Sequence, residues 1–335
     1  MAVTIKQLVY FLAVVDTGQF TQAAASARVA QPTLSTQIRS LEAELGETLF
    51  TRGPDGARLT AAGEALLPLA RRIVADTETA RLEIAELTGL RRGRLRLGAT
   101  PSLCVSIVAD VLAVFHESYS AVALRIAEGG SQDLVRELGR GQLDLALVID
   151  GPNRSARGAE NLALTPILHE ELVAVVSAGG AVDPAVGAGS ATLGDRTDIT
   201  ELARHPFVLN RPGYELREAT LAACAAAGVE PRIAVEGGEM DAVLRMVESG
   251  LGVAVVPSLV LVGGRPGLRA VRLDGSGWAH RTIVLARRTD VAPTRAAEAF
   301  RETLLAVLSR TAGTGGLPPG VRYLHPPAGS DHRDS

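Results

Sequence analysis

The chain has 335 residues, with 34 Lys plus Arg against 37 Asp plus Glu and a formal net charge of -3. A single hydrophobic core stops growing near ~250 residues, so two or three domains are expected, and 47% hydrophobic with 21% charged residues excludes global disorder. Cys104 and Cys224 lie far apart in apolar contexts, which excludes a disulfide framework; with no run of ~18 uninterrupted apolar residues and no secretion signal in MAVTIKQLVYFLAVV, the expectation is a cytoplasmic protein away from membranes.

Residues 1–59 read as three short helices and a hairpin. In the first helix Ile5, Leu8, Leu12 and Val15 share a face, and Asp16-Thr17-Gly18 stops it. Thr21 is the expected N-cap of the second. The third starts at Pro32, a residue favoured in a first helical turn, and ends at Gly46. Its inward stripe is Leu34, Ile38, Leu41 and Leu45, which leaves Ser35, Thr36, Gln37, Arg39 and Ser40 outward or flanking. Pro54-Asp55-Gly56 then supplies a hairpin tip with Arg52 and Arg58 on either side. Helix, short helix, polar-faced helix and basic hairpin make the layout of a winged helix-turn-helix. A plain helical domain also has three helices; the hairpin with paired arginines separates the two.

Thr60 is the expected cap of a long helix reaching about Leu87. Leu66, Ala70, Ile73, Thr77, Ala80, Ile84 and Leu87 recur at spacings of four and three, the pattern of a seam for a partner helix. Residues 60–90 are therefore read as a dimerising linker. From residue 91 to about 310 short apolar runs alternate with helices, which predicts α/β architecture with a largely parallel sheet in two similar lobes. Lobe I is expected over 91–165 and 269–310 and lobe II over 166–268, with crossings near Leu164–Leu168 and Leu268–Leu273. The Gly- and Ala-rich stretch 177–198 reads as a loop. Residues 311–335, rich in Gly and Pro, read as a disordered tail.

The segment QLVYFLAVVDTGQFTQAAASARVAQPTLSTQIRSLEAELGETLFTRGPDGARLTAAGEALL resembles the DNA-binding domain of LysR-type transcriptional regulators. The motifs FTQAA, AQPTLS, QIRSLEAELG and LFTR…RLTAAGEALL carry the likeness from residue 5 to about 90. The remainder resembles the family's effector domain through LRLGATPS, GQLDLALV and ESGLGVAVVP. The resemblance implies a homodimer or homotetramer on double-stranded promoter DNA, with a two-lobed domain like periplasmic binding proteins that senses a small molecule and needs no cofactor. It places DNA contacts on Gln31, Pro32, Thr33, Ser35, Thr36, Gln37 and Arg39 and a wing contact on Arg52, with Thr21, Gln22 and Arg58 beside them. Gln and Arg suit paired hydrogen bonds to base edges, and Ser and Thr suit phosphates. Thr36 departs from the longer, often basic residue of many members. Residues 1–93 hold ten basic and ten acidic residues, so affinity has to come from local placement of Arg28, Arg39, Arg52 and Arg58.

Thr100-Pro101-Ser102 follows a strand and opens a helix, a place where hydroxyls and backbone N–H groups favour an anion. Ser131 repeats the pattern in GGSQDLV, and Asn210 and Arg211 follow a strand in FVLNRPGYE. By resemblance these loops line the interlobe cleft, which points to a small anionic effector; ordinary helix capping accounts for the same hydroxyls. An α/β enzyme or a transporter's solute-binding protein is the alternative without DNA binding. No Gly-x-Ser-x-Gly elbow, His-Glu-x-x-His pair or phosphate loop occurs, so neither catalytic residues nor a metal site are expected, and a solute-binding protein would not need residues 1–90.

Overall fold

The computed structural model describes residues 3–53, 56–86, 93–150, 161–179, 193–274 and 277–325. The chain divides into two compact units, Met1–Arg92 with Glu137–Leu143, and Gly93–Arg136 with Asp144–Ser335. The first unit opens with α1 (Ile5–Thr17), capped by a reciprocal Thr4–Gln7 box and stopped by Gly18 at φ 68°. Its buried face is Leu8, Tyr10, Phe11 and Val14, not the expected stripe of Ile5, Leu8, Leu12 and Val15. The aromatic rings decide this: Phe11 lies 5.3 Å from Phe50, which also meets Phe20 edge-on at 5.7 Å.

Next, α2 (Phe20–Ser26) has Gln19 as its N-cap, so Thr21 sits inside the helix rather than capping it. α3 (Gln31–Leu45) carries Pro32 in its first turn and ends at Gly46, φ 75°. Leu34, Ile38 and Leu41 are fully buried, while Leu45 is 42% exposed because the last helical turn runs past the small core. β1 (Phe50–Gly53) and β2 (Gly56–Leu59) pair antiparallel, with Thr51 opposite Arg58 and Arg52 opposite Ala57. The Ala57 N–H donates to the Gly18 carbonyl at 2.8 Å, which ties the hairpin to the α1–α2 turn.

α4 (Ala61–Glu86) is capped by Thr60, whose hydroxyl accepts from Gly63 N at 3.1 Å and donates to the Thr48 carbonyl at 2.6 Å. The expected seam splits in two. Ala70 is buried in this unit's own core with Leu66 against it, whereas Ile73 and Ile84 are 44% and 70% exposed. Leu87 lies outside the described residues.

The second unit runs β3 (Gly93–Ala99), α5 (Pro101–Leu103), a wide turn into α6 (Ala109–Ser118), β4 (Val122–Glu128), α7 (Ser131–Gly139) and β5 (Leu145–Asp150). β6 (Leu162–Ser177) then leads to β7 (Arg196–Thr197), α8 (Ile199–Leu202), β8 (Phe207–Leu209), α9 (Glu215–Ala226), β9 (Ile233–Glu236), α10 (Met240–Glu248) and β10 (Ala254–Pro257). β11 (Leu268–Leu273), β12 (His280–Arg288), α11 (Arg295–Gly313) and β13 (Val321–Tyr323) complete the unit. The strand order β4-β3-β5-β12-β6-β11-β7 is a mixed sheet, not the largely parallel one expected. β3 runs parallel to β4 and β5, but β12 is antiparallel to β5 and β6.

The cause is β6, a single strand of 16 residues that serves both lobes. Leu162 to Glu171 pairs with β12, and Leu172 to Ser177 pairs with β10 and β11. The first crossing therefore falls at Glu171 and Leu172, beyond the expected Leu164–Leu168. The return falls between Leu273 and His280, because Leu268–Leu273 is itself a strand of the second lobe. β8 and β9 extend that lobe through a parallel bridge of Phe207 to Val253.

The expected disordered tail needs correction over residues 311–325. α11 continues to Gly313, and Val321–Tyr323 pairs with β6, with the Gly320 carbonyl accepting from Glu171 N at 2.8 Å. Gly and Pro here punctuate a short edge strand instead of abolishing structure. Residues 326–335, and 180–192 of the expected loop, lie outside the described residues.

Within the first lobe, Asp144 accepts from Arg96 N at 2.7 Å and from the Arg96 guanidinium, with the two side chains only 11% and 8% exposed. Asp144→Ala removes the carboxylate that faces this buried guanidinium, so urea titration is expected to show a loss of about 3–5 kcal/mol; a loss below about 1 kcal/mol would mean that the pair contributes no more than a surface one.

Candidate functional sites

In the first unit, the short α2, the turn and α3 present one polar surface beside the hairpin. Thr21, Gln22, Gln31, Pro32, Thr33, Thr36, Arg39 and Arg58 are exposed and Gln37 is half-buried. Arg28 holds φ 54° in the turn between α2 and α3, a left-handed conformation rare outside glycine, and its side chain is exposed. Ser35 departs from expectation: it is 6% exposed, because it follows Leu34 directly and shares the inward side. Its carbonyl accepts from Arg39 Nε at 3.4 Å, which bends that guanidinium back along the helix. The Arg52 backbone lies in β1, and its side chain lies outside what the structure describes.

In the second unit a cleft lies between the lobes, with about 50 Å³ of cavity volume. Its walls include Thr100, Pro101 and Ser102 from the turn after β3, Asp133 from α7, Arg211, Tyr214 and Glu215 from the turn after β8, and Arg281 from β12. Thr100, Pro101, Ser102 and Arg211 are thus brought together as the sequence suggested. Ser131 and Asn210 are buried but do not line the cavity.

The hydroxyls divide the capping alternative residue by residue. Thr100 is 5% exposed, makes no cap hydrogen bond, and its Oγ1 has no partner among the described residues. The Ser102 hydroxyl accepts from Arg281 Nη2 at 3.1 Å. Ser131 Oγ accepts from Ile149 N at 3.1 Å and donates to Glu215 Oε2 at 3.0 Å, so it bridges the two lobes behind the cavity.

Charge in the cleft is mostly paired. Arg281 Nε donates to Glu170 Oε2 at 2.7 Å, and Glu170, 0% exposed, also accepts from Leu259 N at 2.7 Å. Arg211 pairs with Glu239 at 2.8 Å and Asp133 with Arg136. Burial holds the Glu215 carboxyl above the ordinary carboxylate range, opposed by the Ser131 hydrogen bond and the Arg281 charge. Burial likewise pushes the Tyr214 phenol up to about 12. Tyr214 and Glu215 were not singled out from the sequence, although they stand in the same FVLNRPGYE motif as Asn210 and Arg211; Arg281 and Glu170 carry no local signal.

The thiols are poorly suited to redox chemistry. Burial, then the Glu128 charge, pushes the Cys104 thiol up to about 11, and burial raises Cys224; the reactive form is the thiolate. Among the described residues no cluster of His, Cys, Asp or Glu has the arrangement of a metal site.

Residues 5–64 match the family model of the bacterial regulatory helix-turn-helix protein, lysR family, and residues 88–309 match the LysR substrate binding domain. The regulator BudR of Raoultella terrigena is 33% identical over 254 residues, covering 76% of this chain and 84% of its own. A probable hydrogen peroxide-inducible genes activator of Mycobacterium avium is 32% identical over 257 residues, 76% of this chain and 78% of its own. Among solved structures, a full-length OxyR variant from Pseudomonas aeruginosa has a TM-score of 0.65 at 23% identity over 91% of this chain and 95% of its own. Full-length CbnR complexed with its target DNA has a TM-score of 0.63 at 23% identity over 90% and 99%. These two likenesses establish the shared fold.

Glu215 holds its proton to higher pH when folded than when unfolded, so its contribution to stability is lost as pH rises through the folded pKa. The melting temperature of Glu215→Gln is accordingly expected to gain on the parent between about pH 5 and about pH 8; a difference that does not change with pH would contradict this.

Proposed function

The chain belongs to the LysR family of transcriptional regulators, and from that membership we propose how its parts divide the work. As a LysR-type regulator it combines a DNA-binding helix-turn-helix with an effector-binding domain; the family is one of regulators, not enzymes. The proposed reading surface is the outward side of α3: Gln31, Thr33, Thr36, Gln37 and Arg39 meet base edges and flanking phosphates in the major groove. Pro32 sets the first turn of that helix. Thr21 and Gln22 of α2, with Arg52 and Arg58 of the hairpin, hold the phosphate backbone. Ser35, buried, serves packing and reaches no DNA. Supporting this is the exposure of so many polar residues on one short helix whose other side is sealed by Leu34, Ile38 and Leu41.

The working form is a homo-oligomer. The exposed Ile73 and Ile84 supply an apolar seam along α4 for a second copy, while Ala70 belongs to the protomer's own core. In the second unit the cleft binds a small effector carrying a carboxylate. Thr100 Oγ1 and the Arg281 N–H groups left over from Glu170 and Ser102 face such a group, and Arg211 stands at the edge. Ser131 orients Glu215, and Asn210 packs behind the wall. Effector binding shifts the lobe angle, and that change alters how the winged helices engage the operator. The raised thiol pKa values favour this ligand-driven route over oxidation of Cys104 or Cys224.

Gel shifts on the DNA upstream of the regulator's own gene test the assignment. Arg58→Ala is expected to weaken binding to all sequences and to lower the salt slope by about 1, and Arg39→Ala or Gln37→Ala to cost about 1–3 kcal/mol and relax sequence preference. Wild-type protection by a triple Gln37, Arg39 and Arg58 alanine variant would refute the surface.

A further inference from the structure

The charges around the cleft do not cancel, and the imbalance identifies a second group on the ligand. Arg281, Arg211 and Arg136 each have a carboxylate partner, in Glu170, Glu239 and Asp133. Glu215 lines the same cavity and has no arginine partner among the described ion pairs. Its Oε2 accepts the Ser131 hydroxyl, which leaves Oε1 directed to no described donor. Glu128, exposed nearby, adds negative charge on the Arg211 side, where it feels Glu239 and Asp241. A ligand that is only an anion brings another negative charge to this set. A ligand that is only a cation offers no acceptor to Thr100, a cavity-lining residue 5% exposed whose Oγ1 has no partner among the described residues.

We propose that the effector is a small aliphatic α-amino acid, its carboxylate held by Thr100 and Arg281 and its ammonium by Glu215. This rests on the cleft being the effector site. The two poles stand in the walls of one small cavity, which Thr100, Glu215 and Arg281 all line. The cavity is small, and Pro101, Ile149 and Leu216 give a short alkyl side chain an apolar wall. The ammonium supplies Glu215 with the counter-charge that burial otherwise denies it, and each charged end of the ligand meets its opposite.

Calorimetry on the full chain discriminates the classes with matched probes: glycine, alanine, valine and leucine as free amino acids, lactate and 2-hydroxyisovalerate as their ammonium-free counterparts, and ethylamine and isobutylamine as the carboxylate-free ones. At least one amino acid is expected to bind, with its hydroxy acid and its amine each weaker by about tenfold or more. Glu215→Gln is expected to lose about tenfold toward the amino acid and to gain toward the hydroxy acid; Thr100→Val is expected to weaken both. A hydroxy acid binding as tightly as its amino acid, or no binding by any amino acid, overturns the proposal. A gel shift with the same preparation separates this from the parent reading: operator binding without amino acid binding defeats only the ligand class, and absence of operator binding defeats the regulator assignment.

Discussion

The second unit depends on one buried carboxylate at the point where its two lobes meet. Glu170 sits on β6 just before that strand passes from β12 to the partners of the other lobe. One oxygen holds Arg281 of β12 and the other holds the Leu259 N–H in the segment after β10. Three stretches of chain are thus joined by a single side chain with no exposure to solvent. A buried pair of this sort adds little stability relative to apolar residues of the same volume. What it provides is position, since the guanidinium can reach Ser102 and the cavity only because Glu170 fixes its other edge. It also removes most of the positive charge that an isolated arginine would lend the cleft.

The winged helix was legible because its determinants are local. Gly18 and Gly46 end helices at positive φ, Pro32 opens one, and the apolar spacing of α3 gives its inner side directly. The errors there were of one helical step. Large rings at Tyr10 and Phe11 rotate α1, and Ser35 is carried inward beside Leu34. In the second unit the short, bounded apolar runs disclosed an α/β architecture, although β11 was read as a crossing between lobes. β6 escaped as a whole because HEELVAVVS continues a strand through charged residues whose partners are remote. The Arg281 to Glu170 hydrogen bond spans 111 positions, and no pattern within either segment marks it. β13 was hidden by composition: Gly and Pro around VRY suggested a tail, while the edge of β6 offered that stretch its backbone partners.

Three hydroxyl residues with the same local signature meet three different fates. Thr100, Ser102 and Ser131 all stand between a strand and a helix, where capping and ligand binding look alike in sequence. Only long-range geometry separates them. Ser102 is drawn to Arg281, Ser131 to Glu215 and the Ile149 amide, and Thr100, which lines the cavity, has a hydroxyl with no partner among the described residues. The residue that caps nothing is the one best placed to meet a ligand, because any contact it makes there is gained without breaking another.

The same Glu215 carboxylate also connects binding to lobe geometry. It belongs to α9 in the second lobe, yet its Oε2 accepts from Ser131 at the start of α7 in the first. A ligand can shift the balance between open and bridged lobes only through a difference in its affinity for the two. The proposed ammonium on Oε1 would supply such a difference. It neutralises a carboxylate whose charge is least tolerated when the lobes are together and water is excluded, and it leaves the Ser131 hydrogen bond in place. The bridged arrangement would therefore gain more from such a ligand than an open one. A ligand lacking the ammonium would occupy the Thr100 and Arg281 side while Glu215 kept its unbalanced charge, and its differential effect on the lobes would be correspondingly smaller.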